Sequence, residues 1–277
     1  MGRAKSRLID SNQPLSLGDT MRRYRSEFSH SAACLAVLTV TLAFSPVGAG
    51  AADATIEQRM AGDPTYDTVL YGGVDYAKSG SSKHDYGVDV GFVTALNGNI
   101  GSSGWVVTGN IGYGNTDGIA DSDAFSTSLL LGYLWKMPDY YFTLSSGVHY
   151  VDNNEAVPGS PTDGSEVGVI GQYGFETSAV NAFYVQSYGS GSSVYDQVYG
   201  HIKAGYKTET LRFGGEFTVF DETNSKPTLR YGAFLGDIPL GDRLRMVVSA
   251  GYQEDREPGN DDGFYATVGF SIPFSLR

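Results

Sequence analysis

Residues 264–274 read FYATVGFSIPF, and every even-numbered position in this stretch is apolar. The odd-numbered positions from Tyr265 to Ser271 are smaller or more polar. A period of two places alternate side chains on opposite faces of an extended strand. The stretch therefore predicts a β-strand whose two faces meet different environments.

The same alternation recurs upstream, in about twelve strand-like runs separated by turn-rich gaps. Runs near ten residues match strands that cross a membrane at a tilt. We therefore expect an all-β fold, an antiparallel transmembrane β-barrel of about twelve strands. The runs cover residues 68–77, 85–97, 104–114, 123–135, 140–151, 165–177, 182–189, 194–206, 210–220, 227–235, 243–253 and 263–274.

The gaps between the runs also alternate in character. Gaps 136–139 and 178–181 are short, whereas gaps 152–164 and 254–262 are longer and carry charges. Barrels of the bacterial outer membrane keep short turns in the periplasm and longer loops outside. An even strand count then places both ends of the barrel in the periplasm, so we expect an outer-membrane location.

Hydropathy is compatible with a barrel. Mean hydropathy is −0.19, and no apolar run reaches the roughly 20 residues of a transmembrane helix. A soluble barrel or sandwich is the competing interpretation, in which the apolar face would form a protein core. Aromatic residues at run ends, such as Trp135 and Tyr140, favour the membrane interpretation because such rings suit the interface.

The N-terminus has the features of a secretory signal. Arg22, Arg23 and Arg25 precede an apolar stretch over 31–44, and Ala49-Gly50-Ala51 follows as a cleavage site. We interpret residues 1–51 as a signal peptide with an over-long N-terminus, in which Met21 is the initiator. Residues 52–67 would then form a periplasmic lead-in, and residues 68–277 the barrel.

Removal of the signal would change the charge and the thiol content. The full chain has 19 basic and 31 acidic residues; the expected mature chain keeps 13 and 28, a net charge of −15. This acidity argues against nucleic acid as a partner. The only cysteine, Cys34, lies within the predicted signal, which excludes disulfides and thiol catalysis from the mature chain.

Charged residues share the face opposite to the apolar one, together with many of the 37 glycines. In a barrel this face lines the lumen, where opposite charges are expected to pair. The predicted lumen-lining charges are Asp75, Asp89, Glu166, Glu176, Lys203, Arg212, Glu216, Arg230 and Arg245.

Catalytic chemistry has few candidates. His84 precedes Asp85 at a predicted outer loop, and His149 lies near Ser145 and Asp152, so a hydrolytic pair is conceivable. We favour solvated or hydrogen-bonding roles for these histidines, and predict no enzyme activity and no catalytic residue. The acidic loops lack the ligand order of an EF-hand, so no metal and no cofactor is predicted either.

Aromatic residues are candidates for contact with sugars. Most tyrosines fit the interface belts of a barrel. Tyr195, Tyr199 and Tyr265 fall on the inward face instead, and are the better candidates for contact with a glycan.

Several short segments together resemble a known family. They are Tyr71-Gly72-Gly73-Val74-Asp75, Gly104-Trp105 leading to Gly112-Tyr113-Gly114, and Ala204-Gly205-Tyr206. They continue with Phe213-Gly214-Gly215-Glu216, Leu229-Arg230-Tyr231-Gly232-Ala233, and Ser249-Ala250-Gly251-Tyr252 before Gly263-Phe264-Tyr265. This order is similar to the cellulose biosynthesis protein BcsS family of alphaproteobacteria, over about residues 68–270.

The resemblance implies a role in cellulose synthesis and secretion. It suggests a non-enzymatic outer-membrane accessory whose expected partners are outer-membrane lipids, lipopolysaccharide, cellulose and cellulose-secretion subunits. The charged inward face leaves a second hypothesis open, a narrow diffusion channel for small solutes.

Overall fold

A computed structural model describes residues 66–80, 83–117, 121–156, 159–223, 225–256 and 262–276. The signal peptide predicted over 1–51, and all of the lead-in except Tyr66 and Asp67, lie outside the described residues. Within the described residues no helix is long and apolar enough to cross a membrane.

The described chain folds into a closed antiparallel barrel of twelve strands in sequence order. This confirms the predicted fold class and strand count. The strands are β1 Thr68–Ser79, β2 Lys83–Ala95, β3 Gly104–Asp117, β4 Ser122–Lys136, β5 Tyr140–Glu155, β6 Gly164–Thr177, β7 Ala182–Ser192, β8 Val198–Lys207, β9 Arg212–Asp221, β10 Thr228–Pro239, β11 Arg245–Asp255 and β12 Gly263–Phe274.

The barrel closes between its first and last strands. β1 pairs with β12 along its whole length, from Thr68↔Phe274 to Ser79↔Gly263. The alternating stretch 264–274 therefore supplies the closing strand. Closure leaves neither β1 nor β12 with a free edge, which satisfies the backbone groups that a bilayer cannot.

The connections vary in length at each end of the barrel: residues 96–103 link β2 to β3 at one end, and residues 80–82 link β1 to β2 at the other. We call the end that holds Thr68 and Phe274 the base; its turns at residues 137–139, 178–181 and 208–211 are short. The opposite end is the rim, and the connections 156–163 and 256–262 there are longer.

Large apolar side chains cover the outward face, and aromatic rings gather near the base. Leu129 and Val148 are 54% and 58% exposed. Around the base, the Trp105 ring lies 5.6 Å from Tyr133, and Trp135 lies 5.6 Å from Phe142. The group Trp105, Tyr133, Trp135 and Phe142, the base girdle below, is the arrangement of rings that membrane barrels place at an interface.

One predicted strand begins later than its pattern suggests. Residues 194–196 form a short 3₁₀ turn in place of strand, with positive φ values of 51° at Tyr195 and 47° at Asp196. Val194 is fully buried and packs with Val151, whose side chain lies on the lumen face of β5. We call residues 193–197 the inward turn, because it folds into the lumen at the rim.

The inward turn also shortens the pairing between β6 and β7. β6 and β7 share seven paired positions, whereas β5 and β6 share fourteen. Beyond the last pair, Ser193 donates its backbone N–H to the carbonyl of Val169 at 2.9 Å. The inward turn therefore continues the hydrogen bonding of β6 beyond the point where β7 ends.

The base is partly filled by an apolar cluster. Ile100 reaches inward from the connection between β2 and β3, and is 1% exposed. It packs with inward-facing residues of four strands. The buried members of the cluster are Ala95, Ile100, Val106, Leu134 and Tyr141.

A charge on the outward face tests whether that face contacts lipid. Leu129 lies midway between the aromatic positions Phe125 and Tyr133 on β4. We expect Leu129→Arg to destabilise the barrel in lipid vesicles by about 2–4 kcal/mol, the cost of an arginine at the bilayer midplane. Reversible denaturant unfolding in vesicles measures the change.

The matched control is Asn154→Arg, at an exposed position near the rim end of β5. It should change the free energy of unfolding by less than about 1 kcal/mol. Equal effects of the two substitutions would contradict a lipid-facing position for Leu129.

Candidate functional site in the barrel lumen

Three groups of ion pairs and hydrogen bonds fill much of the lumen. The first joins β10 to β1. Arg230 donates from Nη1 and Nη2 to the two carboxylate oxygens of Asp75, at 2.9 and 3.1 Å. Its Nε donates to Gln253 at 2.7 Å, and Thr267 donates to Asp75 at 2.8 Å. A fork that meets a carboxylate in this way is a strong and directional pair.

The second group surrounds Glu216 on β9. Lys203 Nζ and His201 Nε2 lie 3.6 and 3.5 Å from its carboxylate. Ser249 and Tyr265 donate hydroxyl hydrogen bonds to it at 2.9 and 2.6 Å. The carboxylate is therefore held from β8, β11 and β12 together.

Tyr265 connects the first two groups. The guanidinium carbon of Arg230 lies 5.2 Å from the centre of the Tyr265 ring, within cation–π range. The hydroxyl of the same tyrosine binds Glu216. A Cβ on Gly232 would lie 2.5 Å from that hydroxyl. Glycine at this inward position therefore avoids a clash with the Tyr265 side chain.

The third group lies near the base, around Arg212. This side chain is 1% exposed, and its Nε lies 3.0 Å from Asp237 and its Nη1 3.4 Å from Glu176. It also donates a hydrogen bond to the hydroxyl of Tyr184, whose ring it faces at 5.2 Å. Two carboxylates and one ring thus enclose this cation.

The other half of the wall carries neutral polar contacts. Tyr71 donates to Asn110 at 2.5 Å, and Asn110 donates to Ser128 at 3.2 Å. A Cβ on Gly91 would lie 2.5 Å from the Tyr71 ring, so only glycine lets this ring lie against β2. These contacts link β1, β3 and β4 across the inward face.

Six of the nine predicted lumen charges belong to the three groups, and the other three lie elsewhere. Asp75, Glu176, Lys203, Arg212, Glu216 and Arg230 join the three groups. Asp89 lies on the inward face of β2. Glu166 accepts the backbone N–H of Tyr195 at 3.3 Å, and Arg245 binds the carbonyl of Gly241 in a base turn.

Sequence reasoning missed Asp237, Tyr184 and Gln253 as lumen residues. Asp237 has a positive φ of 62° and lies where the register between β10 and β11 shifts, from Leu235 to Ile238. This bulge turns its side chain inward and breaks the simple period of two. Tyr184 and Gln253 follow the period, and could have been found from their positions.

The three predicted glycan contacts are buried. Tyr195, Tyr199 and Tyr265 are 8%, 1% and 3% exposed. Tyr195 donates its hydroxyl hydrogen to the carbonyl of Gly164 at 2.8 Å, within the inward turn's packing. Sugar contact by these rings stays a prediction, and it would require them to leave their present contacts.

The histidines take part in local hydrogen bonds or ion pairs. His149 is 1% exposed, and its Nδ1 lies 2.7 Å from Ser192 Oγ, which also accepts the backbone N–H of Val194. His84 Nδ1 lies 3.0 Å from the hydroxyl of Tyr76. Asp152 lies on the face of β5 opposite to His149. Among the described residues, no group of three or more His, Cys, Asp or Glu is placed to hold a metal ion.

Acidic residues surround the inward turn at the rim. Burial, and then the carboxylates of Glu155 and Asp221, raise the pKa of Glu222 to about 7 from 4.5. Thr223, next in the chain, donates its backbone N–H to the carbonyl of Tyr195 at 2.9 Å. Glu222 therefore adjoins the contact that holds the inward turn to the loop between β9 and β10.

Loss of the Arg230 side chain is the sharpest test of the lumen groups. Arg230→Ala leaves the Asp75 carboxylate buried without its partner cation. We expect a loss of about 3–5 kcal/mol in the free energy of unfolding, the typical cost of breaking a buried pair. The double variant Asp75→Asn with Arg230→Gln should recover part of this loss.

The matched control is Arg256→Ala, since Arg256 forms an exposed pair with Glu254 at 2.8 Å. That change should cost less than about 1 kcal/mol. Denaturant unfolding of all three variants in the same detergent gives the comparison, and equal losses from the two arginines would contradict a buried network.

The raised pKa of Glu222 predicts a pH dependence. A raised carboxyl pKa in the folded state stabilises the fold fully below about pH 4.5, and this stabilisation is lost as pH rises towards about 7. Glu222→Gln should remove that part of the pH dependence and raise the Tm at pH 8 relative to wild type. Thermal unfolding between pH 4 and 8 measures it. Glu209→Gln, at an exposed base turn, should leave the profile as in wild type.

Comparison with known proteins identifies a family for this chain. A family model described as cellulose biosynthesis protein BcsS matches residues 69–274. The match covers all residues of the barrel except Thr68, and confirms the resemblance found in the sequence. No curated protein matches the chain.

Solved structures with a similar fold share little sequence with the chain. The translocator domain of autotransporter NalP from Neisseria meningitidis is 11% identical, with 78% of this chain and 91% of that chain covered and a TM-score of 0.45. The β domain of the Bordetella autotransporter BrkA is 11% identical, covers 76% and 99%, and has a TM-score of 0.49. The Pseudomonas putida toluene transporter TodX is 8% identical, covers 84% and 95%, and has a TM-score of 0.44.

Proposed function

Since the chain belongs to the cellulose biosynthesis protein BcsS family, we propose that it is a non-enzymatic outer-membrane barrel accessory to the secretion or surface presentation of cellulose. The base would face the periplasm and the rim the outside. The observation that carries the proposal is the coincidence of the family match with a closed barrel over the same residues, 69–274.

An outer-membrane location is supported by the outward face. Exposed apolar side chains such as Leu129 and Val148 cover it, and the base girdle borders it. Such a surface requires contact with hydrocarbon, which the acyl chains of lipid and lipopolysaccharide provide. The cellulose-secretion subunits that we expect as partners would meet the barrel from the periplasm at the base.

The filled lumen supports an accessory role more than that of a conduit. Arg230 pairs across β11 and β12 with Asp75, and Arg212 pairs across β7 and β8 with Glu176. Side chains that bridge non-neighbouring strands occupy the lumen itself. A glucan chain passing through would have to separate buried ion pairs, at a cost of several kcal/mol for each.

A non-enzymatic role is supported by how the histidines are used. His149 is buried against Ser192, and His201 faces Glu216 within the lumen. Both contacts serve the packing of strands. A nucleophile and its base need access to a substrate as well as each other.

The second hypothesis, a narrow diffusion channel, rests on the same charged lumen. Solutes would pass only where the ion-pair groups separate. Steps of conductance from the purified barrel in planar bilayers would favour it over the accessory role.

Deletion of the gene in its own host tests the proposal. We expect less cellulase-sensitive glucan on the cell surface, or glucan retained in the periplasm, because presentation depends on the barrel. Glucan is measured separately in the two places, and restored by the wild-type gene in trans. Unchanged glucan in both places would overturn the proposed role.

A further inference from the structure

A strip of aromatic rings runs along the outward face at the rim. Its members come from the rim ends of five consecutive strands, β10, β11, β12, β1 and β2. We call this the rim strip. It consists of Tyr231, Tyr252, Phe264, Tyr76, Tyr86 and His84.

The rings follow one another closely within the strip. Tyr231 and Tyr252 lie 5.4 Å apart between ring centres, Tyr76 and Phe264 5.8 Å, and Tyr76 and Tyr86 5.2 Å. Tyr252 and Phe264 are paired positions of β11 and β12, which connects the two halves. The result is a nearly continuous line of rings around almost half of the rim.

The strip is open to its surroundings. Tyr86 and Phe264 are each 49% exposed, and Tyr231 and Tyr252 are each 42% exposed. Successive rings are tilted by 38–59°, and His84 stacks nearly parallel to Tyr86, at 11°. Flat apolar faces therefore remain free for a ligand.

Polar groups border the strip. Tyr252 donates to Asp262 at 2.6 Å, Tyr231 donates to Glu254 at 3.5 Å, and the Tyr76 hydroxyl lies 3.0 Å from His84. Carboxylates on a lipid-facing surface are costly within the hydrocarbon. The strip therefore lies at or above the headgroups, where water and external polymers reach it.

We propose that the rim strip binds an extended β-glucan chain at the cell surface. The inference rests on the proposed function, which supplies the class of ligand. Sugar rings present apolar C–H faces that stack on aromatic rings, and equatorial hydroxyls that bond to groups such as Asp262, Glu254 and His84. Amphipathic tyrosines suit this combination, because the ring is apolar and the hydroxyl remains wet.

The charges at the strip favour a neutral polymer over an anionic lipid headgroup. Asp262 and Glu254 bind the tyrosine hydroxyls directly, and they would repel lipopolysaccharide phosphates. A neutral glucan meets no such repulsion. Its binding should therefore hardly change between low and high salt, since screening acts only on charge pairs.

Binding of cellohexaose and of microcrystalline cellulose to the purified barrel in detergent tests the proposal. We expect wild type to bind both, and Tyr86→Ala with Tyr252→Ala to weaken binding at least about tenfold, because two stacking surfaces are lost. Titration calorimetry gives the affinity for the oligosaccharide, and a pull-down gives retention on cellulose.

The matched control removes rings from the base girdle, as Trp135→Ala with Phe142→Ala, and should bind as wild type does. Far-UV circular dichroism confirms that every variant is folded. Failure of wild type to bind, or equal binding by the Tyr86 and Tyr252 variant, would overturn the site.

The same variants separate this inference from the proposed function. If deletion of the gene reduces surface glucan and the Tyr86 and Tyr252 variant restores it fully, the role stands and the rim strip is wrong. If deletion leaves glucan unchanged while the purified barrel binds cellohexaose through the strip, the site stands and the secretion role is wrong.

Discussion

Backbone hydrogen bonding governs the whole molecule. A bilayer offers no partner to an unpaired peptide group, so a sheet that crosses it has to close on itself. Here closure depends on β12, which pairs with β11 on one side and with β1 on the other. Only after closure do the alternate side chains of each strand face fixed environments, one set towards the membrane and the other towards the lumen. The ion pairs of the lumen and the rings of the two ends both follow from that division.

Alternation along single strands made the outer wall predictable. Stretches such as 264–274 and 123–135 contain their own facing pattern, and the alternation of short and long gaps indicates which strand ends share a side. The inward position of a residue such as Arg230 follows from the same parity. Its partner does not, because Asp75 is 155 residues away in sequence, and which strands meet across the lumen depends on the register of the complete barrel.

Local irregularities account for the remaining differences. Val194 and Tyr195 fall within a predicted strand, yet they form the inward turn, where both are buried in a cluster with Val151. Asp237 faces inward through a bulge that no period of two reveals. At the rim, rings that composition assigns to an interface belt have carboxylate neighbours, such as Asp262. Those neighbours come from other positions of the chain, which pattern alone does not bring together.

The seam between β1 and β12 has a kinetic consequence. It joins the first strand of the barrel to the last, so it is the contact of highest sequence separation and has to form late. Until then, β1 and the most recently added strand both present open edges, which are templates for misassembly. The net negative charge of the chain delays association during that interval, since like charges keep unfinished copies apart. A chain that ended before residue 263 would lack β12, so the edges of β1 and β11 would stay open and this barrel could not close.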